Sequence, residues 1–151
     1  MLRLLLLSLL LCGCSRPADL GNDDALFNAG EVEQPLSPGT TPVRIGEGGP
    51  RFAACGAAGQ VVNLSPAGVA SLTVRAAPFA EAASVAQLGN GARLVVCTRS
   101  MDQRWLGVVL PPADTPGDAC GVDAPVASPR GYAGPCGSGW VESAFVRLGA
   151  R

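Results

Sequence analysis

The residues that could do chemistry in this chain are its cysteines and acids, because the sequence contains no His and no Lys. Without His, the chain lacks the usual general base, the commonest metal ligand and the side chain that titrates near neutral pH. Without Lys, a Ser–Lys catalytic pair is excluded, and no imidazole is present to activate a cysteine nucleophile. The composition therefore predicts a protein that is not an enzyme and uses no cofactor.

The acids that lie close together in the second half of the chain are Asp114, Asp118 and Asp123. Carboxylates can hold calcium, but their spacing does not match the EF-hand loop. Acids in a loop are ordinarily solvated, so we expect no metal site. A nucleic-acid partner is not expected either, because eleven Arg against twelve Asp and Glu leave no polybasic surface.

Residues 1–14 have the organisation of a short secretory leader. One positive charge, Arg3, precedes an apolar run over residues 4–11, which ends in Leu11-Cys12-Gly13-Cys14. The run is too short to cross a bilayer, which takes roughly 20 apolar residues. Leu, two mostly small residues and Cys at the end of such a run resemble the lipobox of bacterial lipoproteins. The alternative is an ordinary signal peptide with a cysteine at this point by chance.

The lipobox resemblance implies that residues 1–13 are removed and that Cys14 is lipidated as the mature N-terminus. Several acyl chains anchor a protein stably without a membrane span. In Gram-negative lipoproteins, a serine such as Ser15 after the lipidated cysteine favours the outer membrane. We therefore expect a lipid-anchored protein of the cell envelope whose domain lies in the oxidising periplasm.

Residues 14–50 are predicted to be a disordered linker. No period of 2 or 3.6 residues runs through them, and five prolines, several glycines and six acids interrupt the few apolar residues. Such a segment buries too little apolar surface to offset the entropy lost on ordering.

Residues 51–151 show the pattern of a small all-β domain, with short apolar segments separated by Gly, Pro and Asn. Asn90-Gly91 between two such segments is a typical hairpin signal. No stretch is both long and helical in period, so a small barrel or sandwich is expected. The predicted strand segments are residues 72–75, 85–88, 94–97, 105–110, 139–142 and 145–148.

The order of these segments resembles the bacterial SH3-like domain. Leu72-Thr73-Val74-Arg75 followed by Pro78, a glycine turn, Leu94-Val95-Val96, the strand beginning with Trp105 and the closing Gly139-Trp140-Val141 correspond to the motifs of that family. The resemblance implies an SH3-like barrel with an N-terminal extension and an insertion over residues 111–138. It implies a binding role only weakly, since the barrel serves many binding functions.

Four cysteines remain once Cys12 and Cys14 are assigned to the N-terminal signal, and in an oxidising compartment four cysteines suggest two disulfides. Of the three connectivities we favour Cys55–Cys97 and Cys120–Cys136. The second bond would close the insertion on itself. For the first, Cys97 should point away from the core because Leu94 and Val96 point towards it. A four-Cys zinc site is the alternative, but no Cys-x-x-Cys pair is present.

The candidate ligand-binding residues are Arg130 and Tyr132 in the insertion and Trp105 and Trp140 on predicted strands. Arg recognises carboxylates, and Tyr offers a large, nearly rigid contact face. Loops as long as residues 111–138 are uncommon in compact domains and often functional. The alternatives are that Tyr132 only covers the barrel mouth and that both tryptophans pack in the core or at its rim.

Two functional hypotheses follow. In the first, the anchored domain is a non-catalytic module that binds peptidoglycan or its peptide stems, as related SH3-like modules are thought to do. In the second, the protein is a structural or interaction lipoprotein that binds another envelope protein through the 111–138 insertion.

Overall fold

The computed structural model describes residues 39–113 and 117–150, without the side chain of Asp118. The predicted signal peptide, the predicted lipidation site Cys14 and the predicted linker up to residue 38 lie outside the described residues, as does Asp114. No helix in the described part of the chain is both long and apolar enough to span a bilayer.

The described residues form nine strands and two short 3-10 helices, so the domain is all-β as predicted. The strands are β1 (Arg44–Ile45), β2 (Ala57–Val61), β3 (Leu72–Arg75), β4 (Ser84–Leu88), β5 (Arg93–Arg99), β6 (Trp105–Leu110), β7 (Arg130–Gly131), β8 (Gly137–Glu142) and β9 (Val146–Gly149). The 3-10 helices are Gly117–Cys120 and Ser143–Phe145.

Seven strands pair antiparallel in one sheet, in the order β4-β3-β8-β6-β5-β2-β9, and β1 pairs with β7 separately. A closed barrel requires a ladder between the first and last strands. In the described part of the chain β4 and β9 share none, so the sheet does not close as the predicted barrel would. The strand pattern in a sequence indicates which side chains share a face, but not which edges meet.

One face of the sheet carries the larger core. Along β5, Leu94 and Val96 point into it, and along β6 so do Leu106 and Val108, which follows the two-residue alternation of strands. The buried members of this inner core are Val61, Leu64, Leu72, Val74, Leu94, Val96, Leu106, Val108 and Val141.

The opposite face of β5 and β6 is also buried. Val95 and Val109 pack there against Ile45 and Val122. The cover is the outer layer, which we define as residues 41–56 together with residues 117–136. Strands covered on both faces become apolar at successive positions, which explains the uninterrupted run Leu94-Val95-Val96.

The outer layer includes residues that the sequence assigned to the linker. Val43 and Ile45 are only 2% and 3% exposed, and β1 pairs with β7, so that Ile45 lies opposite Arg130. The folded domain therefore begins before residue 51. The Pro- and Gly-rich composition concealed these two apolar residues, because their burial depends on a strand supplied by the insertion some 85 residues later.

Both disulfides form with the predicted pairing, Cys55–Cys97 and Cys120–Cys136. The register of β5 on β6 shifts between Val96 and Thr98, which leaves Cys97 as an extra residue on the outer face. There it reaches Cys55 in the outer layer. The second bond joins the 3-10 helix Gly117–Cys120 to the residue before β8.

The Asn90-Gly91 segment makes a turn, but not the predicted hairpin, because β4 pairs with β3 while β5 pairs with β2 and β6. The backbone N–H of Leu64 donates to the Asn90 side chain at 3.2 Å, and the N–H of Gly91 donates to the Val61 carbonyl at 2.8 Å. The turn is thus held against the end of β2. These distant partners separate the two flanking strands and override the local signal.

Candidate binding site

Tyr132 is fixed in the outer layer by its backbone and its hydroxyl. Its N–H donates to the Val43 carbonyl at 2.8 Å, which extends the β1–β7 pairing by one residue. The hydroxyl donates to the Cys120 carbonyl at 3.0 Å and accepts from the N–H of Cys136 at 3.1 Å. The side chain therefore bridges the two ends of the loop that the Cys120–Cys136 disulfide closes, and it is half-buried rather than free for a ligand.

Gly134 lies directly against the Tyr132 ring. A Cβ atom at Gly134 would come within 2.5 to 2.6 Å of the ring and its hydroxyl oxygen, which no real Cβ contact tolerates. The close approach of backbone to ring is the reason for glycine at this position. Gly134 and Tyr132 thus form one packed unit inside the insertion.

The environment of Arg130 differs from that of Tyr132, although only two positions separate the two residues. It lies on β7, is exposed, and forms no ion pair within residues 39–113 and 117–150. Arg44 on the paired strand is already engaged with Glu47 at 3.4 Å. Of the two insertion residues predicted to bind, Tyr132 is half-buried and hydrogen-bonded within the loop, whereas Arg130 is exposed.

The two tryptophans are packing residues. Trp105 and Trp140 are 6% and 5% exposed and form a cluster with Val43. The indole N–H of Trp140 donates to the Thr41 carbonyl at 2.7 Å, so its only polar group is satisfied by the outer layer. Both rings are largely buried and connect the central sheet to the outer layer, although a part of Trp105 reaches a surface groove.

A small groove of about 170 Å³ lies where β6 begins and β8 ends. The register of these strands places Trp105 opposite Glu142. The 3-10 helix after β8 completes the wall, since the N–H of Ser143 donates to the Arg104 carbonyl at 2.8 Å and its hydroxyl to the Gln103 carbonyl at 3.0 Å. The groove is lined by Arg104, Trp105, Glu142, Ser143 and Ala144.

Arg104 and Glu142 bring opposite charges to this groove without pairing. Both are exposed, and the one ion pair of the described residues joins Arg44 and Glu47 instead. Both charged side chains line the same groove, so a ligand seated there would lie near a cation and an anion.

The turn beside the groove is organised by Asp102. Its carboxylate accepts a hydrogen bond from the Ser100 hydroxyl at 2.5 Å and another from the N–H of Arg104 at 3.1 Å. These bonds, with the Ser100 bond contributing most, and the nearby positive charge of Arg104 hold the pKa of Asp102 below its usual range against the opposing effect of burial. Asp102 is therefore ionised at neutral pH and fixes the backbone that presents Arg104.

A second, larger depression of about 420 Å³ is apolar. It lies over the Cys55–Cys97 disulfide, and Phe52 at its wall is 67% exposed. Beside it, the Thr98 hydroxyl donates to Glu47 at 2.7 Å. The depression is lined by Gly48, Phe52, Ala53, Ala54, Gly56 and Cys97. None of its lining residues is charged, so the depression offers apolar contact area but little means of distinguishing one ligand from another.

No group of three or more His, Cys, Asp or Glu side chains in the described part of the chain is arranged to hold a metal ion. The four cysteines of the alternative zinc site are consumed by the two disulfides. That alternative is therefore not realised.

Arg104 and Glu142 were not among the residues predicted from the sequence. Each lies near a tryptophan in sequence, Arg104 directly before Trp105 and Glu142 two residues after Trp140. That proximity to a tryptophan was the only sequence feature that could have drawn attention to them, because only the antiparallel register of β6 on β8 places the two charges at the same groove.

No protein-family model, curated protein or solved structure matches this chain.

Proposed function

We propose that this chain is a membrane-anchored lipoprotein of the bacterial cell envelope, whose periplasmic domain is a non-catalytic module that binds peptidoglycan or its peptide stems. Cys14 carries the lipid and, with Ser15, directs the protein to the outer membrane. The observation that carries the proposal is the combination of the lipobox-like Leu11-Cys12-Gly13-Cys14 with a disulfide-linked β domain that presents unpaired charges at a surface groove.

The disulfides support an exported protein. Every cysteine after Cys14 is paired, and structural disulfides persist in oxidising compartments such as the periplasm but are rare in the cytosol. A leader at residues 1–13 provides a route to that compartment, so the two features support each other.

We assign the domain to the SH3-like class as part of this proposal. The motif segments occur on β3, β5, β6 and β8 in the expected chain order, and each contributes to the inner core. Compared with a plain SH3-like domain, this domain has an additional outer layer, about half of which comes from the 111–138 insertion. The open edge between β4 and β9 departs from a closed barrel, so the assignment depends on motif order and core composition.

A binding role agrees with the way polar groups are distributed. The chain contains no His or Lys, and the described thiols are oxidised to disulfides. Exposed charges at Arg104, Glu142 and Arg130, which form no ion pair among the described side chains, can recognise charged groups of a ligand without any chemical step. Peptide stems carry free carboxylates and amines, which are the complementary groups.

Sedimentation with isolated cell walls tests the proposal. The mature chain bearing Cys14→Ala, which removes the lipid, is mixed with purified sacculi and centrifuged. We expect the protein in the pellet and its release by soluble peptide stems. Protein that stays in the supernatant at every sacculus concentration would contradict a cell-wall function.

A second candidate is binding to another envelope protein through the 111–138 insertion. The observation that favours it is the exposed Arg130 on a loop closed by its own disulfide, since a preorganised loop loses less entropy on binding. A photo-crosslinker at Ala133, exposed three residues beyond Arg130 in the same loop, should then yield one defined protein adduct in cells while leaving Arg130 in place. The same crosslinker at Arg93, exposed at the start of β5, is the control and should not.

A further inference from the structure

The groove between β6 and β8 combines a cation and an anion that do not neutralise each other. Arg104 and Glu142 line the same space of about 170 Å³, yet no ion pair joins them. A ligand with a carboxylate alone would meet repulsion from Glu142, and a ligand with an ammonium alone would meet repulsion from Arg104. Only a ligand with both charges gains from both side chains.

We propose that this groove binds a zwitterionic carbon of a peptide stem, one that carries both a free ammonium and a free carboxylate. The proposal rests on the cell-wall function above and names the chemical group that this site recognises. Arg104 donates charge-assisted hydrogen bonds to the ligand carboxylate, and Glu142 accepts them from the ligand ammonium.

The groove is held in shape before a ligand arrives. Ser143 closes one wall through its two bonds to the backbone of residues 103 and 104. Asp102 fixes the turn that precedes Arg104. A site that needs little reordering retains more of its interaction energy as affinity.

The charges of the groove set its selectivity. Its space of about 170 Å³ is enough for one zwitterionic carbon with its two charged groups. Internal residues of a peptide lack the free ammonium and carboxylate and gain from neither charge. The site therefore prefers free stems or uncrosslinked ends over fully crosslinked wall.

The test uses the mature chain with Cys14→Ala and an alanyl-glutamyl-diaminopimelate tripeptide, whose distal carbon carries both a free amine and a free carboxyl group. Binding is followed by chemical-shift changes and calorimetry. Two matched probes are the same tripeptide with the distal amine acetylated and with the distal carboxyl amidated. We expect each modification to weaken binding by about tenfold or more, since each removes a charge-assisted pair.

Variants identify the residues. Glu142→Gln should weaken binding of the unmodified tripeptide about tenfold and leave the already weak binding of the acetylated probe unchanged. Arg104→Gln should likewise weaken binding of the unmodified tripeptide about tenfold and leave binding of the amidated probe unchanged. Arg93→Gln is the matched control, because Arg93 is exposed on β5 and does not line the groove. The modified probes act on the unaltered domain, so the test remains decisive if a variant fails to fold.

The outcomes separate this inference from the cell-wall function. Sacculus binding with no discrimination among the three tripeptides overturns the zwitterion site and leaves the cell-wall function standing. Discrimination among the tripeptides without sacculus binding keeps the zwitterion site and overturns the cell-wall function. Equal effects of Arg93→Gln and Arg104→Gln would show general charge attraction and overturn the site.

Discussion

Tyr132 has the residue type of a binding contact, but in this structure it stabilises a loop. An exposed Tyr beside an Arg in a long loop has the composition of a contact surface. Here the hydroxyl lies between the Cys120 carbonyl and the Cys136 N–H, and the ring packs against Gly134. Once both of its hydrogen-bonding roles are filled by backbone, the side chain has no polar group left for a partner.

Tyr132→Phe should therefore lower stability and leave the fold intact. The change removes both hydrogen bonds and leaves a part-buried N–H and carbonyl without partners, at a cost of about 1–2 kcal/mol in the free energy of unfolding. Urea unfolding monitored by tryptophan fluorescence measures the difference. Arg130→Ala is the control and should change stability by less than about 0.5 kcal/mol. Equal losses for the two variants would mean that the hydroxyl does not brace the loop.

The segment around β1 and the insertion act as one structural element, although they are far apart in sequence. β1 pairs with β7, the Trp140 indole donates to Thr41, and Ile45 and Val122 bury the same face of the sheet. Neither segment has enough apolar surface to form a layer alone. Each is ordered by packing on the central strands and by its pairing with the other.

A fragment that begins at Arg51 should be markedly less stable than one that begins at Gly39. The shorter fragment loses the burial of Val43 and Ile45, at about 1.5–3 kcal/mol each, and the partner strand of β7. It also exposes the tryptophan cluster, so the emission maximum should shift to longer wavelength. Denaturant unfolding of the two fragments compares their stabilities. Identical midpoints would show that residues 39–50 do not belong to the folded domain.

The two disulfides should differ in their contributions. Cys55–Cys97 joins residues 42 positions apart and Cys120–Cys136 residues 16 apart. In the chain-entropy description, loops of these lengths correspond to roughly 4 and 3 kcal/mol. Replacing Cys55 and Cys97 by Ala should therefore lower the unfolding free energy more than replacing Cys120 and Cys136, as measured in urea without reductant. The reverse order would indicate that strain or residual structure outweighs loop length.

The molecule as a whole is proposed to combine an anchor with a small recognition domain. Covalent acyl chains contribute about 0.8 kcal/mol per buried CH₂, and two or more chains hold a protein at the membrane stably. The domain then needs no membrane-spanning element of its own. Weak recognition of a cell-wall group suffices in such an arrangement, because the anchor already confines the domain to the envelope.

Cys14→Ala should release the protein from the membrane. The substitution removes the site of lipidation, so in fractionated cells the protein should lose fatty-acid label and leave the membrane fraction. Cys12→Ala is the matched control, because that residue lies in the predicted leader. Membrane association that survives Cys14→Ala would contradict the lipoprotein assignment.

Local patterns in the sequence predicted the all-β class and favoured one of the three possible cysteine pairings. Alternation along β5 places Leu94 and Val96 on one face and Cys97 on the other, and this is a property of the strand itself. The insertion was likewise visible as a run too long for a simple turn. These features depend on neighbours in sequence, so they are accessible without the fold.

Only the tertiary structure decided the rest. Asn90-Gly91 failed as a hairpin because contacts with Val61 and Leu64 direct its flanking strands to different partners. Val43 and Ile45 joined the core, and Arg104 met Glu142, only through pairings between distant segments. These pairings form because together they bury both faces of the central strands. Such burial depends on contacts across the whole domain, so it produces no local periodic pattern in the sequence.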